Sequence, residues 1–168
     1  TTKPMLEEIK KTLDTISSIT AGQSVSAANG DDKDLYKVML LDKMRSPLAQ
    51  PLMFQMASRD TDPILRVRII TLLGNRSGPE VTRALIAAMR DPEPDVRLAA
   101  LRSLEKIGDY SVASLIAGGP IRDGEESVRL QALKTLNSLQ DRKAQQIEAA
   151  RARYEAEKQA AAGKAQPK

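Results

Sequence analysis

Cysteine, histidine and tryptophan are absent from this chain, and its 168 residues include one Phe and three Tyr. Without Cys there is neither a disulfide nor a thiolate nucleophile, and without His there is no imidazole base and no ordinary zinc set. A chain without Cys persists in either redox compartment, so composition leaves localisation open. No stretch approaches the ~18 apolar residues needed to span a bilayer, and no signal-peptide core is visible. The chain begins at Thr1 with no initiator Met. That start suits a processed protein or a fragment: the cytoplasm is slightly favoured, and the periplasm follows if a signal or anchor precedes Thr1.

With so few aromatics, the core must be built from Leu, Ile, Val, Met and Ala. These residues, with abundant Lys, Arg, Glu and Gln, favour helix, and strand-like alternation never outlasts a few residues. The net charge is +4, but it is unevenly placed. Residues 47–140 hold twelve basic and eleven acidic side chains, whereas residues 141–168 hold seven basic and four acidic. The middle of the chain is not a basic groove.

That middle repeats. Pro63-Ile-Leu-Arg-Val-Arg-Ile-Ile-Thr-Leu-Leu73, Pro94-Asp-Val-Arg-Leu-Ala-Ala-Leu-Arg-Ser-Leu104 and Glu126-Ser-Val-Arg-Leu-Gln-Ala-Leu-Lys-Thr-Leu136 align at offsets of 31 and then 32 residues. Matching columns read Leu65, Val96 and Val128; Arg66, Arg97 and Arg129; Ile70, Leu101 and Leu133; Leu73, Leu104 and Leu136. An Asp stands six residues before each Arg, at Asp60, Asp91 and Asp123. In the second copy Val96, Ala100, Leu101, Leu104 and Ile107 form one helical stripe, with Arg102, Ser103 and Lys106 read as opposite to it. Pro63 and Pro94 suit a first helical turn, Asp62 suits an N-cap, and Gly108 is placed to close its helix in the left-handed conformation. A further helix precedes each copy, at Leu48–Ser58, Pro79–Arg90 and Tyr110–Ala117. The units are thus helix A, an Asp-containing turn and helix B, over 47–77, 78–109 and 110–140.

Carried by Asp91, Pro94, Val96, Arg97, Ala100, Leu101, Leu104, Ile107 and Gly108, the pattern resembles HEAT repeats, especially the short bacterial type found in phycobilisome-lyase-like proteins. The resemblance implies an all-α, right-handed α-solenoid of about three helix pairs with helical extensions, B helices lining the concave side. It also implies that Arg66, Arg97 and Arg129 bond Asp60, Asp91 and Asp123 of their own or adjacent turns, as a structural ladder rather than an anion site. Such scaffolds serve many unrelated functions.

The flanks divide the chain into residues 1–32, a repeat domain over 33–140 and a charged tail over 141–168. Leu6, Ile9, Leu13, Ile16 and Ile19 mark an amphipathic helix over 4–19. It either caps the domain or docks on a partner through Leu6, Ile9, Leu13 and Ile16. Residues 20–32, rich in Ser, Ala and Gly, read as a linker. Asp34–Arg45 and Asp141–Ala162 are the expected covers for the two ends of the stack.

Expected concave positions are Arg68, Thr71, Asn75, Arg102, Lys106, Gln131, Lys134 and Ser138. Of these, Arg68, Arg102, Lys106 and Lys134 are the candidate partner-binding residues. With no aromatic platform for base stacking and few cations, this face disfavours nucleic acid. Membrane contact would come only through a partner or a missing N-terminal anchor. Enzyme signatures fail one by one: Gly74-Asn-Arg-Ser-Gly78 lacks the spacing and Lys of a phosphate loop, and Gly-x-Ser-x-Gly does not occur. No catalytic, cofactor-binding or metal-binding residue emerges, and no cofactor is expected. The chain reads as a non-catalytic protein-interaction or assembly scaffold, a subunit or accessory of a larger bacterial complex. The alternative is a regulatory or chaperone-like accessory of an enzyme or pigment protein, lyase-like in role.

Overall fold

Proline marks the start of three successive helices. In the computed structural model, which describes residues 3–7, 10, 11, 14, 38–44, 48–60 and 62–165, α2 runs Pro63–Leu73, α3 Pro79–Ala88 and α4 Pro94–Ile107. Each places its Pro in the first turn, where the ring's fixed φ fits the helix and no backbone donor is lost. Before them stands α1, Ala49–Arg59; after them come α5, Ala113–Gly118, and α6, Glu126–Lys164. Single 3-10 turns at Tyr110–Val112 and Pro120–Arg122 flank α5. No strand occurs among the described residues.

The helices pair as A–B units: α1 with α2, α3 with α4, and α5 with α6. The B helices α2, α4 and α6 also pack on one another in sequence. One aliphatic seam runs through all of it. Met53, Ile69, Ile70, Leu73, Leu85, Leu101, Leu104, Ile116 and Leu139 are all essentially inaccessible. Burying each such side chain contributes about 1.5–3 kcal/mol, and stacking gives every unit a neighbour that shields its seam.

Local capping follows sequence chemistry. Asp62 accepts a hydrogen bond from the Ile64 amide at 2.9 Å, satisfying a donor that the first turn leaves orphaned. Gly108 departs from the left-handed closure expected of it. Its φ is −70° and ψ 161°, which is extended backbone. Glycine is needed there for space: a Cβ would lie 2.5 Å from the Leu104 carbonyl oxygen.

Two further expectations are corrected by burial. Ser103, read on the polar side of α4, is 5% exposed, and Gln131, read on the concave face, is 8% exposed. Both sit where one B helix meets the next.

The ends of the stack differ. Helical residues 38–43 lie against the first unit, with Val38 and Leu41 fully buried. Arg76 fixes them by donating from Nε to Asp42 Oδ1 at 3.2 Å and from Nη2 to the Asp42 carbonyl at 2.6 Å. At the other end α6 continues for 39 residues without a break, so residue 140 falls inside one helix. Every described residue from Lys143 onward is exposed, and this stretch shields none of the core. Residues 3–7 are helical and exposed. The side chains of Ile9, Leu13, Ile16 and Ile19, and all of 20–32, lie outside the described residues. No described helix is long and apolar enough to cross a membrane.

Candidate interaction surface

The recurring Asp and Arg bind successive units together in a fixed geometry. Arg66 sends Nη1 to the Asp60 carbonyl of its own turn at 2.7 Å. Its Nε and Nη2 meet Asp91 of the next turn at 3.0 and 2.9 Å. Arg97 repeats this one unit on, with Nη1 to the Asp91 carbonyl at 2.9 Å and Nε and Nη2 to Asp123 at 2.8 and 2.9 Å. Each Asp also accepts the amide two residues ahead: Asp62 for Asp60, Glu93 for Asp91 and Glu125 for Asp123. At Asp91 and Asp123 the carboxylate that closes the turn also receives the previous unit's guanidinium. A forked guanidinium matches a carboxylate in two parallel bonds, which fixes angle as well as distance.

The pairs are substantially shielded, with side-chain exposures of 11% and 8% for Arg66–Asp91 and 17% and 10% for Arg97–Asp123. The Asp91 hydrogen bond raises the pKa of Arg66 and the Asp123 bond raises that of Arg97, desolvation opposing both. Asp123 is held below its ordinary value, first by the Arg97 side chain and then by the Glu125 amide, again against desolvation. Arg129 donates through Nη1 to the carbonyls of Asp123 and Gly124 at 2.7 and 3.0 Å, its own turn only.

A second set of rungs joins the B helices, and sequence reasoning missed it. Ser103 Oγ donates to the Ile70 carbonyl and Thr135 Oγ1 to the Leu101 carbonyl, each at 3.0 Å. Gln131 Nε2 donates to Glu105 Oε2 at 2.7 Å, and Ser138 Oγ to Glu105 Oε1 at 3.0 Å. Arg142 donates to the carbonyls of Gly108 and Glu105 at the end of α4, where cations favour the helix dipole. The available signal was the column match of Ser103 with Thr135, two hydroxyls at one repeat position.

Of the four candidate partner-binding cations, Arg68, Arg102, Lys106 and Lys134 are all exposed. Lys106 reaches Asn75 Oδ1, and Arg68 Nη2 lies 3.9 Å from Met39 Sδ. Arg102 and Lys106 stand at the rim of a groove of about 400 Å³ between α2 and α4. Its apolar wall comprises Ile64, Val67, Leu98 and Ala99, with Asp95 and Thr71 also lining it. Arg68 and Lys134 are not brought into it. Leu6 is 65% exposed. Among the described residues, no three or more acidic side chains gather in a metal-holding arrangement.

Residues 50–119, from within α1 to just past α5, match the family model for HEAT repeats. That stretch is thus of the HEAT class, and the packing of α6 on α4 carries the same stacking beyond it. No curated protein matches the chain.

Proposed function

We propose that this chain is a non-catalytic protein-binding scaffold, acting as a subunit or accessory of a larger bacterial complex. One observation carries the reading: the α2–α4 groove joins an apolar wall to a basic rim. Ile64 stands 60% exposed at that wall, and Arg102 and Lys106 border it. Such a surface suits a protein segment that offers an aliphatic side chain and a carboxylate together. Apolar burial supplies affinity, and the rim charges supply orientation and encounter rate. HEAT repeats commonly serve as protein-interaction scaffolds, which agrees with this reading.

The test uses the full chain as bait in an extract of the organism that encodes it. Wild type is compared with the double variant Arg102→Glu, Lys106→Glu. A protein recovered stoichiometrically by wild type and reduced on the order of tenfold by the variant is the expected result. Recovery indifferent to the charge reversal, or no partner retained by wild type, overturns the proposal.

A further inference from the structure

Three equivalent columns show how each unit receives the next, and how the third unit ends. Ile70 and Leu101 are both 0% exposed, whereas Leu133 in the same column is 50% exposed. Val67 and Leu98 are half-buried, whereas Leu130 is 58% exposed. Arg66 and Arg97 each hold a carboxylate of the following turn in two bonds. Arg129 has the same bond to its own turn, with Nε and Nη2 engaged by no carboxylate among the described residues. Apolar exposure and an open guanidinium fork therefore coincide on the outer face of α6.

The geometry points to this face, around Arg129, Leu130 and Leu133, as the docking site for a helix pair of a partner protein whose connecting turn carries an aspartate. The inference deepens the scaffold reading and rests on it, but it uses a different surface from the α2–α4 groove. The chemistry of the occupant is set by the two interfaces already present in the chain. Where a following unit is in place, its turn offers a carboxylate to the Arg. Its B helix covers the aliphatic column and donates a small side-chain hydroxyl to a carbonyl of that column. A complementary partner presents the same three groups to Arg129, Leu133 and the Leu133 carbonyl.

A second copy of this chain is a poor occupant, because its first unit is already covered. Val38 and Leu41 are 0% exposed, and Asp42 is tied down by Arg76.

The experiment places a photo-crosslinking phenylalanine analogue at Leu133 of the full chain, with one at exposed Leu115 on α5 as control, in the same extract. The expected adduct from position 133 joins a different polypeptide, at a helix preceded within two turns by an aspartate. Arg129→Glu should lower its yield on the order of tenfold, and replacing the partner's aspartate with Arg should restore it. Because Arg129 also braces its own turn, Leu130→Lys, at a position 58% exposed on the same face, serves as a second variant. It should abolish docking while leaving the urea midpoint unchanged. Adducts between two copies, adducts to residues 1–37, yields indifferent to the charge at 129, or none above the control each overturn the inference. If groove-dependent partners persist while position 133 yields nothing, this docking site fails and the scaffold reading stands.

Discussion

Gly74 and Ser103 approach so closely that a Cβ built on Gly74 would lie 2.5 Å from Ser103 Oγ and 2.9 Å from Ser103 Cβ. Gly74 closes α2 with an ordinary φ of −64°, so the requirement is steric and not conformational. The missing side chain lets α4 pack tightly enough for Ser103 to reach the Ile70 carbonyl. Gly74→Ala should therefore destabilise the fold by roughly 1–3 kcal/mol, read as a lower urea midpoint. Adding Ser103→Gly removes both clashing atoms, so the double variant should recover part of the loss. A single variant as stable as wild type would contradict the close approach.

The Arg columns predict graded costs. Arg97 joins two units and is largely shielded. Arg97→Ala leaves Asp123 without its partner and should cost about 2–4 kcal/mol. Arg129→Ala forfeits bonds to backbone carbonyls only and should cost about 1 kcal/mol. Chemical denaturation of the two variants side by side decides the matter, and equal losses would refute the ladder as a junction between units.

Acid should weaken the same junction. The folded-state pKa of Asp123 is lowered, chiefly by Arg97, so it lies below an unfolded value of about 3.9. Stability from a lowered carboxylate is fully present above the unfolded pKa and drains away as pH falls through the folded one. The stability gap between wild type and Asp123→Asn should be constant from neutral pH to about 5, then narrow below about pH 4. A gap that persists undiminished at pH 3 would refute this assignment.

Arg76 anchors the first cover. Besides Asp42 it donates from Nη1 to Gln50 Oε1 at 3.1 Å, linking residues 38–43 to α1. Arg76→Ala should release that helix and uncover Val38 and Leu41. Limited proteolysis should then cut near residues 38–44 at least several-fold faster, with the core retained.

Ending the chain after Arg142 tests how independent the tail is. Described residues from Lys143 onward are exposed, while Arg142 holds the end of α4. The shortened chain should keep its urea midpoint and lose helical circular dichroism in proportion to the residues removed. A marked drop in midpoint would show that the tail braces the stack.

The helix pairs were legible in the sequence because three signals coincide at one spacing: the aliphatic column through Leu104, the Asp-to-Arg offset and proline at helix starts. Charge stands out in such columns, so Asp91 and Arg97 could be named from letters alone. The direction of the reach could not, since Arg97 is six residues from one Asp and 26 from another. Ser103 was misplaced because it adjoins Leu104, and periodicity alone does not resolve one residue at the border of an apolar stripe. Packing on α2 then buries it, and its hydroxyl is satisfied by a carbonyl 33 residues away. Of the groove, Arg102 and Lys106 were visible beforehand, but the exposure of Ile64 depends on which side of α2 is left uncovered. Leu133 and Leu101 look alike as letters, and only the end of the stack distinguishes them.

A helix that leaves a packed body intact behaves differently from one that starts in water. The first turns of α6 are nucleated by its packed half, so the remainder propagates without the initiation cost that makes short isolated helices marginal. At about 1.5 Å per residue, the stretch from Lys143 to Lys164 reaches on the order of 30 Å beyond the stack. Whatever is joined to that end is held away at a nearly fixed separation, as by a strut and not a tether. A spin label near Lys164 and another on α4 should accordingly give a narrow distance distribution.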